Sequence, residues 1–167
     1  SMDEVRFRAI YWETLAGRDL CRSIYNTYQE GDWKNRLESE NLDSEAVNRL
    51  RENLAEAIVL LARLEVLLAP EDKQPATLRN ALEMLADAEQ LRRGRRAVYR
   101  LRSDYYQRLG EEDRAESDRQ QLHQTQPATA FDFFIEGTDE RTQGDILGAI
   151  TQYENALLQN PDHVWSH

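Results

Sequence analysis

The chain has 167 residues, a formal net charge of −10 and 40% hydrophobic residues, a length that suits one compact domain or one stretch of a longer repeat array. That apolar content is enough to build a core and excludes general disorder, while the acidic balance disfavours nucleic acid and anionic membranes as partners. With four prolines and seven glycines, and with Leu, Ala, Glu, Arg and Gln abundant, the composition favours helix over strand.

Ser1 and Met2 read as a remnant of expression and are set aside. From about Asp3 to Glu30, the residues Phe7, Ile10, Tyr11, Leu15, Leu20, Ile24 and Tyr28 recur at mostly helical spacings, which predicts a helix. Gly17 is a candidate break within it, and Gly31-Asp32 a stop. Trp33 to Asp43 is polar and without period, and reads as loop or a short helix. A long helix is predicted next, capped by Asp43 or Ser44. Its seam of Leu50, Leu54, Ala57, Leu61, Leu64 and Leu68 is widened by Ile58, Val59 and Leu60, so its middle is expected to be buried nearly all round. Pro70 ends it, and Glu71 to Gln74 is expected to form a polar loop. Pro75 opens a further helix through Leu78, Ala81, Leu82, Leu85, Ala88 and Leu91, broken by Gly94. Four amphipathic segments follow, over 96–109, 112–124, 129–143 and 146–159, with turns at Gly110, Pro127, Gly144 and Pro161. Short turns between helices imply antiparallel hairpins.

Cys21 is the single cysteine, so no internal disulfide can form, which fits a reducing, cytoplasmic location. The longest apolar run, Ile58 to Ala62, falls far short of the ~20 residues of a membrane span. Lys34 and Lys73 are the two lysines, and every other basic residue is arginine. Arginine forks suit carboxylates and interfaces; genomic codon bias is the competing explanation.

Two stretches overlay at an offset of 34. Gly110 falls on Gly144, Ala115 on Ala149, Pro127 on Pro161, Tyr99 on Phe133, Ser103 on Gly137 and Leu122 on Ala156, and Ala81 and Ala88 precede Ala115 and Leu122 by the same interval. This is the period of the tetratricopeptide repeat. The chain resembles that family through Phe133, Gly137, Gly144, Ala149, Tyr153, Ala156 and Pro161, and through Tyr99, Ser103, Tyr106, Gly110, Ala115 and Pro127. It departs from the family pattern at Arg102, Arg119 and Glu140.

The resemblance covers 96–161 well, as units 96–129 and 130–161, and 75–95 in part. It implies an all-α, right-handed superhelix of antiparallel helical hairpins, a solenoid with the N-terminal helical region 3–74 packed on it, and the start of a truncated repeat at 162–167. Small residues such as Ser103, Gly137, Ala115 and Ala149 would let paired helices approach, with Tyr153 filling the gap between them. The run from Leu60 to Arg79 followed by repeats is also similar to the helical C-terminal region of certain large bacterial serine/threonine protein kinases. No glycine-rich phosphate loop, His-Arg-Asp or Asp-Phe-Gly motif occurs in the chain itself.

Catalytic and metal chemistry find little support. The histidines His123, His163 and His167 lack metal-ligand spacing, and Cys21 among apolar neighbours reads as packing. No cofactor is expected. The cluster Arg92, Arg93, Arg95, Arg96, Arg100 and Arg102 leaves three readings: a turn paired to carboxylates on adjacent helices, a dock for an acidic or phosphorylated partner, or a phosphate contact to nucleic acid.

In the family, the first helix of each hairpin lines a concave groove. The matching outward positions are Ala97, Arg100, Asp104, Gln107 and Arg108, then Phe131, Phe134, Thr138 and Arg141. Asp104 and Thr138 stand where the family's carboxylate-gripping groove has asparagine. The expectation is a non-catalytic protein-interaction module, a scaffold or regulatory segment of a larger protein, that takes a protein or acidic peptide. The alternative is the C-terminal part of a protein kinase. Self-association through an exposed end of the array is a further expectation.

Overall fold

Helices account for most of the residues that the structure, a computed structural model, describes: 15–31, 34–35 and 39–162. Among these are seven α-helices: α1 (Leu15–Glu30), α2 (Ser44–Leu68), α3 (Gln74–Leu91), α4 (Arg96–Arg108), α5 (Glu112–Gln124), α6 (Ala130–Thr142) and α7 (Ile146–Gln159). They pack as hairpin-like pairs, α2 with α3, α4 with α5 and α6 with α7, and α1 lies against α2. The expected all-α architecture is therefore observed. The expectations for residues 1–14, for Asp32, Trp33 and residues 36–38, and for 163–167 lie outside the described residues.

The long helix α2 is the hub. The Asp43 carboxylate caps it, accepting from the Ala46 amide at 2.7 Å, and Pro70 ends it by holding Ala69 extended (φ −74°, ψ 137°). Every residue from Leu54 to Leu64 is buried, as the widened apolar stripe demands. The sequence placed a polar loop at 71–74. Instead Glu71–Lys73 forms a 3₁₀ turn and Gln74 already begins α3. The reason is local: the Gln74 side-chain amide donates to the carbonyls of Val66 (3.0 Å) and Ala69 (2.9 Å), satisfying groups that the end of α2 leaves open. The division drawn at residue 74 thus falls inside the α2–α3 hairpin. Gly17, a candidate break, is instead buried within α1.

The turns that join the last two pairs are the same object twice. At the end of α4, Gly110 (φ 77°) donates to the Gln107 carbonyl and Glu111 to that of Tyr106, at 3.0 and 2.9 Å. At the end of α6, Gly144 (φ 88°) donates to Arg141 and Asp145 to Glu140, at 3.1 and 2.9 Å. Both are Schellman closures, in which a left-handed residue lets the chain reverse and pair its last carbonyls. Glycine is needed at these two positions because a Cβ is strained at positive φ.

Cys21 is fully buried where α1 meets the core, and burial pushes its thiol from the ordinary 9.0 up to about 12. Below pH 9 the thiol is neutral in both folded and unfolded chains and adds no pH dependence. Above it the unfolded chain releases a proton that the folded chain keeps, so stability falls as pH rises from 9 towards 12. The native protein is expected not to react with a disulfide reagent at pH 8, and to release one equivalent of thiol once unfolded in urea. Fast labelling of the native protein would contradict this burial.

Candidate functional site

The first helices of the pairs, α2, α4 and α6, lie side by side, and their C-terminal halves enclose a recess of about 270 Å³. Its floor is apolar, with Leu101 and Tyr105 from α4 and Val66 from α2, and Leu67 stands exposed at its lip. Its walls are charged. Asp139 on α6 accepts from Arg100 Nε on α4 at 2.6 Å and from Arg63 Nε on α2 at 3.4 Å, and Arg63 also reaches the Thr142 hydroxyl at 3.4 Å. One carboxylate therefore ties three helices together. Opposite it, Asp104 pairs with Arg108 one helical turn on, at 3.2 Å. Withdrawal from water raises the Asp104 carboxyl above its ordinary range, with Asp139 adding to the shift and Arg108 opposing it.

The groove residues named from the sequence divide into groups. Asp104 and Arg108 line the recess, while Arg100 is tied to it through its bond to Asp139. Gln107 lies away from it, its side-chain oxygen accepting from Arg119 on α5 at 3.4 Å. Ala97, Phe131, Phe134 and Thr138 are buried, at 1%, 0%, 1% and 1% exposure, so the expectation that they face a partner is corrected. The two rings stack on one another at 6.3 Å and Phe134 also meets Tyr153, Arg95 sits over Phe131 at 5.5 Å, and the Thr138 hydroxyl donates to the Ile135 carbonyl at 2.8 Å. Burying two phenyl rings is worth far more than displaying them. Arg141 stands by the Tyr153 hydroxyl, where its charge opposes the upward push of burial on that phenol.

The residues expected to pack between repeats are placed as follows. Ser103, Ala115, Gly137, Ala149 and Tyr153 are buried. Tyr99, Tyr106, Phe133 and Pro127 are half-buried, and Pro161 is exposed. Arg102 lies over the Tyr99 ring and Arg114 over that of Tyr106, at 5.6 and 5.5 Å.

Of the three readings of the arginine cluster, the structure bears out the pairing to neighbouring carboxylates. Arg92 and Arg95 both meet Glu52, and Arg95 also meets Glu56 at 3.6 Å. Arg96 bonds Glu136 at 2.6 Å and closes the C-terminus of α5 through the carbonyls of Leu122 and Thr125. Arg100 holds Asp139, and Arg102 makes a two-pronged contact to Asp118. Arg93 remains exposed at the turn. The sequence missed Arg63, Asp139 and Thr142 as recess residues. Arg63 sits among apolar residues of α2, and a buried arginine in a leucine-rich stretch is the signal that could have found it.

Among the described residues, no group of three or more His, Cys, Asp or Glu side chains could hold a metal, and no helix is long and apolar enough to cross a membrane. In comparisons with known proteins, no family model matches this chain, and neither a curated protein nor a solved structure matches it.

Proposed function

We propose that this segment is a non-catalytic protein-interaction module of tetratricopeptide type, with the recess between α2, α4 and α6 as its docking surface. The observation that carries this reading is the recurrence of one hairpin at an interval of 34 residues. The two Schellman turns at Gly110 and Gly144 repeat bond for bond, and Ala115 and Ala149 are buried at matching places, at 0% and 2% exposure. Repeated hairpins that set their first helices side by side create a concave face whose outward side chains belong to no single unit.

The chemistry of the recess narrows the partner. Arg63, Arg100 and Arg108 already hold Asp139 and Asp104, so a carboxylate ligand must displace a carboxylate that is already seated. An acidic peptide loses its advantage there. An apolar floor rimmed by paired charges suits an extended or helical segment with one apolar anchor and neutral or mixed polar flanks. The same pairing removes the basic patch that nucleic acid would need.

The swap Asp104→Arg/Arg108→Asp keeps net charge and ion pair while exchanging the signs at the rim. Proteins captured from the source cells by the immobilised parent would be purified and titrated against both forms. The expected result is a saturable partner whose affinity falls at least about tenfold on the swap, with the circular dichroism spectrum unchanged. Equal affinity for the two forms would place docking elsewhere. Turnover of a nucleotide or ester by the purified chain at enzyme-like rates would end the non-catalytic reading.

A further inference from the structure

One polar group in the recess is left over by the fold. Tyr105 lies in its floor, 2% exposed, and among the described residues its hydroxyl has no hydrogen-bond partner. The charges that act on that hydroxyl are Arg63, Asp104, Asp139 and Arg108. These same four line the recess, so the ring points its oxygen into the space they border. A phenol this deep in a helix pair ordinarily finds a partner, because an unmet hydroxyl away from water costs free energy. Burial pushes the phenol well above its ordinary range, with Asp104 and Asp139 adding to the shift and Arg63 and Arg108 opposing it. At neutral pH the oxygen therefore keeps its proton and offers it to an acceptor.

We infer that Tyr105 is the residue by which the recess selects its partner, a protein segment that presents a glutamine beside its apolar anchor, with the glutamine carbonyl accepting from the Tyr105 hydroxyl. This rests on the recess being the docking surface. The chemistry of the floor rejects the other occupants in turn. An apolar side chain alone leaves the O–H unmet. An ammonium or guanidinium only donates, so it leaves that proton unmet as well. A carboxylate accepts, but it must be brought up to Asp104 and Asp139, whose arginines are already engaged. A neutral amide accepts from the phenol and brings two N–H donors of its own. Asp104 can take one of these, since it meets Arg108 through Oδ2 and its Oδ1 accepts from no described residue. Space allows both groups. At about 270 Å³ the recess is nearly twice a cavity of ~150 Å³ that takes benzene, room for an aliphatic anchor and a second side chain next to it. Glutamine is preferred to asparagine because the hydroxyl lies at the floor, and the longer stem covers apolar surface on the way down.

Random peptides displayed on phage and selected on the immobilised full chain supply the probes. The expected result is a family of saturable binders that share a glutamine next to an aliphatic residue. Their affinity is expected to fall at least about tenfold on Tyr105→Phe. It should fall as far when the peptide's glutamine is replaced by methionine, and the two changes together should cost little more than either alone. Tyr105→Phe itself is expected to melt within about 2 °C of the parent, since the hydroxyl it deletes has no partner among the described residues. A selection that gives no saturable binder, binders with no neutral amide in common, or glutamine peptides held equally by Tyr105→Phe would each overturn the inference. So would a large loss of stability in Tyr105→Phe, which would show the hydroxyl to be engaged within the chain. The swap Asp104→Arg/Arg108→Asp separates this failure from that of the docking surface. Peptides that lose affinity on the swap but not on Tyr105→Phe leave the recess as the docking surface and remove the role of the phenol; peptides indifferent to both remove the two together.

Discussion

Gly137→Val is expected to lower the unfolding free energy by about 2–3 kcal/mol and the melting midpoint by roughly 5–10 °C, read by thermal and urea denaturation. A Cβ at Gly137 would stand 2.7 and 2.9 Å from two ring carbons of Tyr153 and 3.2 Å from the Ala149 carbonyl oxygen. The ring cannot swing aside, because Tyr153 is 2% exposed and its face meets Phe134 at 6.2 Å. The helices α6 and α7 must separate, or the ring must leave its rotamer; either costs packing across the pair. Gly137→Ala sharpens the test. On helix propensity alone, alanine should stabilise α6 by about 1 kcal/mol; the contact predicts a net loss of about 1–2 kcal/mol instead. Smaller side chains at position 153 should relieve it, so Gly137→Ala/Tyr153→Leu is expected to be less destabilised than the sum of the single changes by about 1 kcal/mol. A stabilising Gly137→Ala would mean that the close approach of α6 and α7 is not what this glycine provides.

The close approach of α6 and α7 was readable from the chain because the small residues on its two sides recur in register, although Tyr153 itself does not. Gly137 and Ser103 sit 34 residues apart, as do Ala149 and Ala115, and period together with side-chain size is what a sequence displays directly. Helix ends were legible for a related reason. Segments 112–124 and 146–159 coincide with α5 and α7, since a glycine before each helix and a residue unfit for helix after it act locally. The 71–74 segment was misread because its outcome depends on a side chain, Gln74, reaching back to carbonyls of the preceding helix. Composition shows that glutamine is polar, not what it bonds.

The site was less legible than the fold. Outward-facing positions on α4 and α6 can be counted along a helical wheel, but the wheel does not say how closely the neighbouring helix approaches. Phe131 and Phe134 therefore looked available, while in the structure they are buried with Tyr153 beneath Arg95. The arginines posed the opposite problem. Six within eleven residues look like a basic patch, yet their carboxylate partners lie in other helices. Glu52 belongs to α2, Asp118 to α5, and Glu136 and Asp139 to α6. Pairings of that sequence separation are a property of the packed state alone. The preference for arginine over lysine does acquire a structural role here, since several of these cations bridge two acceptors, which suits a planar fork better than a point charge.

Asp118→Ala is expected to cost about 2–4 kcal/mol, one of the largest losses available outside the apolar core. Asp118 is 5% exposed and accepts both prongs of the Arg102 fork, at 2.7 and 2.5 Å, across the α4–α5 pair. The bond to Asp118 is the largest influence raising the Arg102 pKa, so the guanidinium stays charged throughout the accessible pH range. Removing the carboxylate strands a cation that packing holds partly away from water, and that stranded charge supplies most of the cost. The pair itself need not be a strong net stabiliser, because its own desolvation offsets much of its attraction. A double replacement separates these terms. Replacing both partners by apolar side chains of similar size leaves no charge stranded. Arg102→Leu/Asp118→Met is therefore expected to recover most of the stability lost in Asp118→Ala, to within about 1 kcal/mol of the parent. By contrast, Asp104→Ala, which breaks the half-exposed pair with Arg108, is expected to change stability by less than about 1 kcal/mol and to lose even that in high salt. If Asp118→Ala proved as mild as Asp104→Ala in urea titrations, the Arg102 fork would be a surface contact that does not hold the α4–α5 pair together.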